Sequence, residues 1–132
     1  MSYGYRTSED PLWTGTTGAS SNENTGIMSS DIFIGPVSLF LHGTTSTDVT
    51  VTYQIGVRRD KGIPEFASGA ITWMTPSGGG AITEFTNVNL TSANDTHATL
   101  TIASGKYFRF NVSNNDGANA IAEGELHIQA SY

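Results

Sequence analysis

The chain has 132 residues, 12 Asp and Glu against 6 Lys and Arg, and no Cys. That length suits one domain able to bury roughly two-thirds of its unfolded surface, and the missing Cys excludes a disulfide framework and thiol catalysis. The acidic balance argues against a nucleic-acid partner, which needs a basic surface, and no apolar run nears the roughly 20 residues of a membrane helix.

Residues 1–30 are the least regular part. The opening lacks the apolar core of a signal peptide. Residues 13–26 are almost wholly small and polar, and such a stretch cannot order itself alone. Tyr3, Tyr5, Leu12, Trp13, Ile27 and Met28 punctuate residues 1–30. Two readings stand: a frayed terminus, or a flexible arm whose aromatics dock on a neighbouring subunit or on the domain's own edge. The ordered domain is expected over 31–132.

Gly35-Pro36 interrupts the apolar run 32–41. Pro cannot donate to a ladder, so this stretch is expected to be an edge strand or two strands with a kink. Residues 49–57, VTVTYQIGV, alternate apolar and polar side chains for nine positions, which is a central strand with one buried face. The segments 37–42 and 49–57 read as a hairpin. Arg58-Arg59-Asp60-Lys61 is the only basic cluster, either a solvated turn or a polar contact to an acidic neighbouring subunit.

Ala70–Met74 is a short strand, ended by Pro76 and three glycines. No Lys-Ser/Thr or helix follows those glycines, so they do not form a phosphate loop. The phase breaks near Thr86-Asn87, where a bulge or turn is expected. Residues 98–102, 107–112 and roughly 120–130 alternate again. Asn114-Asn115-Asp116-Gly117 reads as a hairpin turn, and Gly124 as a bulge or a point of close packing. Seven or eight strands without a helical period give an all-β fold, a two-sheet antiparallel β-sandwich. The jelly roll is favoured over the immunoglobulin-like order.

The residues offer little catalytic chemistry. His42, His97 and His127 lie at strand ends or on outer faces, with no second ligand at zinc-site spacing. Glu123 and Glu125 share a face and read as surface charge. Arg109, mid-strand beside Tyr107, either sits on an exposed face or forms an interface stack or carboxylate pair. No enzyme activity, cofactor or metal is expected.

The stretch 98–129, with Gly105-Lys106-Tyr107-Phe108-Arg109-Phe110 followed by an Asn/Gly turn and a last strand, resembles the closing strands of small β-sandwich virion proteins of tailed bacteriophages. Residues 49–60 are similar to their long central strand. Where those chains often carry an Asp-Gly turn closely followed by Trp, this one has Arg59-Asp60-Lys61-Gly62 and a Trp only at 73. The resemblance implies a head decoration or cement protein, often trimeric, that clamps major capsid subunits in a virion assembled in the host cytoplasm. Tyr3, Tyr5, Trp13, Arg58, Arg59, Tyr107 and Arg109 are the candidate interface residues. The alternative is a carbohydrate-binding or adhesin-like sandwich, with Trp73, Tyr107 or Tyr53 stacking on sugar rings.

Overall fold

A computed structural model describes residues 5–7, 12–26, 28–29, 35–58, 71–76, 79–102 and 107–131. Its strands are β1 (Tyr5–Thr7), β2 (Trp13–Gly15), β3 (Asn22–Asn24), β4 (Met28–Ser29), β5 (Gly35–Thr44), β6 (Val49–Arg58), β7 (Ile71–Met74), β8 (Asp95–Ile102), β9 (Tyr107–Asn114) and β10 (Ala122–Ser131). They form two antiparallel sheets packed face to face, a β-sandwich. Sheet A runs β1-β10-β5-β8, with β2 also on β10; sheet B runs β3-β9-β6-β7, with β4 also on β9.

Period-two alternation builds the core. Val37, Leu39 and Leu41 of β5, Ala98 of β8, and Leu126 and Ile128 of β10 point inward from sheet A. Val49 and Val51 of β6, and Phe108, Phe110 and Val112 of β9, meet them from sheet B. Phe108 and Phe110 pack edge to face at 5.9 Å between centroids, a favoured aromatic geometry. The connection between β7 and β8 adds Ile82, Phe85 and Leu90, with a single 3-10 turn at Thr83–Phe85. That turn, with Asn87 at φ 52°, is where the alternation breaks near Thr86.

β6 lies between β9 and β7, a central position, as its alternation requires. β5 differs from expectation: β10 and β8 flank it, so it is not an edge. Pairing with β10 begins at Val37, one residue past Pro36, so the proline costs that ladder nothing. The two hairpins read from local sequence are corrected too. β5 and β6 lie in different sheets, and so do β9 and β10. Residues 45–48 and 115–121 therefore cross between sheets. Thr45, at φ 70°, turns the first of them, and its hydroxyl donates to Ala120 O in the second. A polar turn serves a hairpin and a crossing equally well, and only the inward faces it connects decide between them.

The stretch before residue 31 supplies β1 to β4, which extend both sheets along β10 and β9. Of the two docking readings for the arm's aromatics, on a neighbouring subunit or on the domain's own edge, Trp13 follows the second: it is 6% exposed and packs in this chain's own core. Its indole Nε1 donates to Glu23 Oε1 at 2.6 Å, and Thr17 Oγ1 donates to the same oxygen at 2.6 Å. β2 belongs to sheet A and β3 to sheet B, so Glu23 ties the sheets together. Polar residues 13–26 order themselves by borrowing the ladders and core of the rest of the chain. Beside the Trp13 indole, whose own register partner is Leu126, β10 bulges between Ala122 and Glu125, with Glu123 at φ 54°. A Cβ on Gly124 would stand 2.2 Å from the indole, so Gly124 is both bulge and close contact.

Candidate functional site

With 49, 51, 108, 110 and 112 inward, the alternate residues of β6 and β9 form the outer face of sheet B. Thr50 stands opposite Ser113, Thr52 opposite Asn111, Gln54 opposite Arg109 and Gly56 opposite Tyr107. β3 widens the face with Asn22 and Asn24, whose Oδ1 atoms accept from Asn111 Nδ2 at 3.0 and 3.1 Å. β7 adds Trp73 opposite Gly56. A Cβ on Gly56 would come within 3.1 Å of the Trp73 ring and 2.4 Å of Ile71 Cγ2, so only glycine lets the indole lie this close to the sheet.

Arg109 is the centre of this face. Its guanidinium carbon lies 4.1 Å from the Trp73 ring centroid, a cation–π distance. Its Nε donates to Gln54 Oε1 at 2.8 Å. Partial burial lowers its pKa from the ordinary value, and an arginine keeps its charge through such a shift. Sequence reasoning picked out Arg109 and Tyr107. It paired Arg109 with the sequence neighbour or a carboxylate, whereas the aromatic partner is Trp73, two strands away across β6.

The remaining candidates do not gather here as a set. Tyr5 lies in β1 opposite Ser131, and Arg58 ends β6 opposite Ile71. Tyr3 and Arg59 lie outside the described residues.

The outer face of sheet A carries a second group that periodicity alone did not assemble. Register sets Glu125, His42 and Asp95 in one row and His127, Phe40 and His97 in the next. His42 Nδ1 and Asp95 Oδ1 are 2.8 Å apart, and His127 Nε2 and Glu125 Oε1 are 3.2 Å apart. Phe40, 40% exposed, lies 5.1 Å from the His97 ring. An open depression of about 640 Å³ beside this face is lined by Thr14, Thr16, His42, Glu123 and Glu125. Among the described residues no group of three or more His, Asp or Glu side chains is placed to hold a metal ion.

At the end of the sandwich a third cluster holds the crossings together. Asn114, 1% exposed, donates to Thr17 O, Gly18 O and Asn119 O and accepts from Ser46 Oγ and Asp116 N. The Asp116 carboxylate accepts from Thr47 N and Oγ1, Ala118 N, and Asn119 N and Nδ2. These bonds, the Thr47 backbone donor first, hold its pKa well below the usual carboxylate range against partial desolvation. With five donors on its two oxygens, Asp116 organises loops. The Asx-turn character of Asn-Asn-Asp-Gly was the available sequence signal.

No family model matches this chain, and no curated protein matches it in sequence.

Proposed function

We propose that this chain is a non-catalytic structural protein of a virion, of the head decoration or cement class, and that the outer face of sheet B is its docking surface on a protein neighbour. In this reading the chain works as a homo-oligomer, a trimer, seated on major capsid subunits and assembled in the host cytoplasm. It uses no cofactor, nucleic acid or membrane.

The observation that carries the reading is the Arg109–Trp73–Gln54 corner set in a ladder of short amides and hydroxyls. Asn, Thr and Ser lose less rotamer freedom on docking than long side chains do. Arg and Trp are the residue types in which interface energy concentrates. Their mutual stack also holds Arg109 in one orientation before a partner arrives, which cuts the ordering cost of binding.

The strand order supports the jelly-roll form of this fold. If β1 with β2, and β3 with β4, each count as one position, eight positions result. Every step along the chain then changes sheet except β6 to β7. An immunoglobulin-like order keeps several consecutive strands in one sheet, whereas two interlocked Greek keys alternate in this way.

One observation favours the carbohydrate reading as runner-up: Trp73 and Tyr107 flank Gly56 on a face lined with amides. Against it, the Arg109 guanidinium already covers the Trp73 ring that a sugar would use. Co-sedimentation with particles stripped of this protein tests the first reading. Arg109→Glu is expected to weaken attachment at least tenfold, and unchanged attachment overturns it. Reproducible glycan-array binding that is lost in Trp73→Ala would establish the second.

A further inference from the structure

We propose that the neighbour met by the outer face of sheet B is a second copy of this chain, presenting the outer face of its sheet A, so that copies associate head to tail. This rests on the assembly reading above and names its partner.

The two outer faces are complementary in charge. On sheet A the carboxylates of Asp95, Glu123 and Glu125 are exposed or half-exposed, and no Lys or Arg occupies a described outward position of β5, β8 or β10; the sheet's one described basic residue, Arg6, lies in β1 opposite Ala130, away from the β10-β5-β8 rows. On sheet B the outward positions of β3, β6 and β9 hold Arg109 and no carboxylate among the described residues. A protein of net charge −6 would repel a like copy if its charges were spread evenly. Sorting the cation and the carboxylates onto opposite faces makes one relative orientation attractive.

The chemistry of the two faces also matches. Phe40 stands in the open between His127 and His97, one row from Glu125, His42 and Asp95. An arriving guanidinium there finds an aromatic surface and two flanking carboxylates. Asp95 keeps 84% of its side-chain surface exposed and Glu125 43%, so both remain reachable. On the facing copy, Arg109 commits its Nε to Gln54.

Size is sufficient. Four strands at about 4.8 Å spacing and eight residues at about 3.3 Å rise give a face of about 500 Å². Two such faces in contact bury about 1,000 Å², the lower bound for a specific interface. The faces lie on opposite sides of one sandwich, so the contact is heterologous. Each added copy leaves one face of each kind at the ends, and because the faces lie on opposite sides of the sandwich successive copies stack along one direction as an open row.

The test uses Arg109→Glu and Glu125→Arg, each with Gln54→Glu and Asp95→Arg as second variants on the same faces, and circular dichroism as a fold control. Light scattering over a micromolar range reads the mass. The wild type is expected to associate, and each variant alone to associate at least tenfold more weakly. A one-to-one mixture of Arg109→Glu with Glu125→Arg restores association, because each supplies the face that the other has lost. A monomeric wild type, a Glu125→Arg variant that associates normally, or a mixture that stays monomeric each overturns the inference. The assembly reading fails separately: it falls if Arg109→Glu still attaches to particles. It survives if attachment is lost while the wild type alone is monomeric.

Discussion

Asn111 and Asn114 stand three residues apart on β9 and put the same amide to different uses. Asn114 points inward, is 1% exposed, and bonds main-chain carbonyls of Thr17, Gly18 and Asn119. Asn111 points outward and bonds the side chains of Asn22 and Asn24. The difference teaches where polar residues hold this fold and where they serve its surface. A buried amide that satisfies carbonyls from separate segments leaves them orphaned when it is removed. An outward amide bonded to other side chains is replaced by water.

Deleting residues 1–28 tests the buried region hardest. It removes Trp13 from the core and two of the carbonyls that Asn114 satisfies. The melting temperature is expected to fall by more than about 10 °C, or cooperative unfolding to vanish. An unchanged calorimetric melt would show that the N-terminal strands contribute nothing to this end of the sandwich.

Trp13→Ala alone should cost about 3–5 kcal/mol, the usual range for a buried large aromatic. Asn114→Ala comes next, at about 2–4 kcal/mol in chemical denaturation, since several buried partners lose their bond together. A loss under about 0.5 kcal/mol there would erase the contrast with Asn111.

Asp116 sharpens the comparison through pH. Its folded pKa lies below its unfolded value of about 3.9. Its stabilising contribution is therefore fully present above about pH 5 and is lost as the pH falls through and below 4. Thermal melts of the wild type should fall across that window, and Asp116→Asn should remove part of the slope. Identical slopes in the two proteins would show that the carboxylate is not the titrating group.

The smallest effect belongs to the outer face. Asn111→Ala is expected to change stability by no more than about 0.5 kcal/mol. A loss above about 1.5 kcal/mol would mean that the outer ladder is structural after all.

The strands were legible because alternation is a local property: 49–57 reads as half-buried in any context that offers one apolar face. Gly124 was legible as a bulge or close contact, though not as the seat of Trp13. Residues 13–26 misled because their composition is that of a segment that cannot fold alone, while the ladders that order it belong to β9 and β10, about 90 to 110 residues away. The Arg109–Trp73 pair was hidden for the same reason, since its members sit on strands that meet only through β6.

By itself the sequence determined the all-β class, the inward and outward alternation of β5, β6, β9 and β10, and the polar connections that follow β5 and β9. Each of these follows from side chains a few positions apart. Only the tertiary structure decided that the turns at 45–48 and 115–121 cross between sheets, that Trp13 docks inward, and that three histidines and two carboxylates share a face with Phe40. Those outcomes depend on which inward face packs against which. That choice minimises exposed apolar area over the whole chain, and no local window contains it.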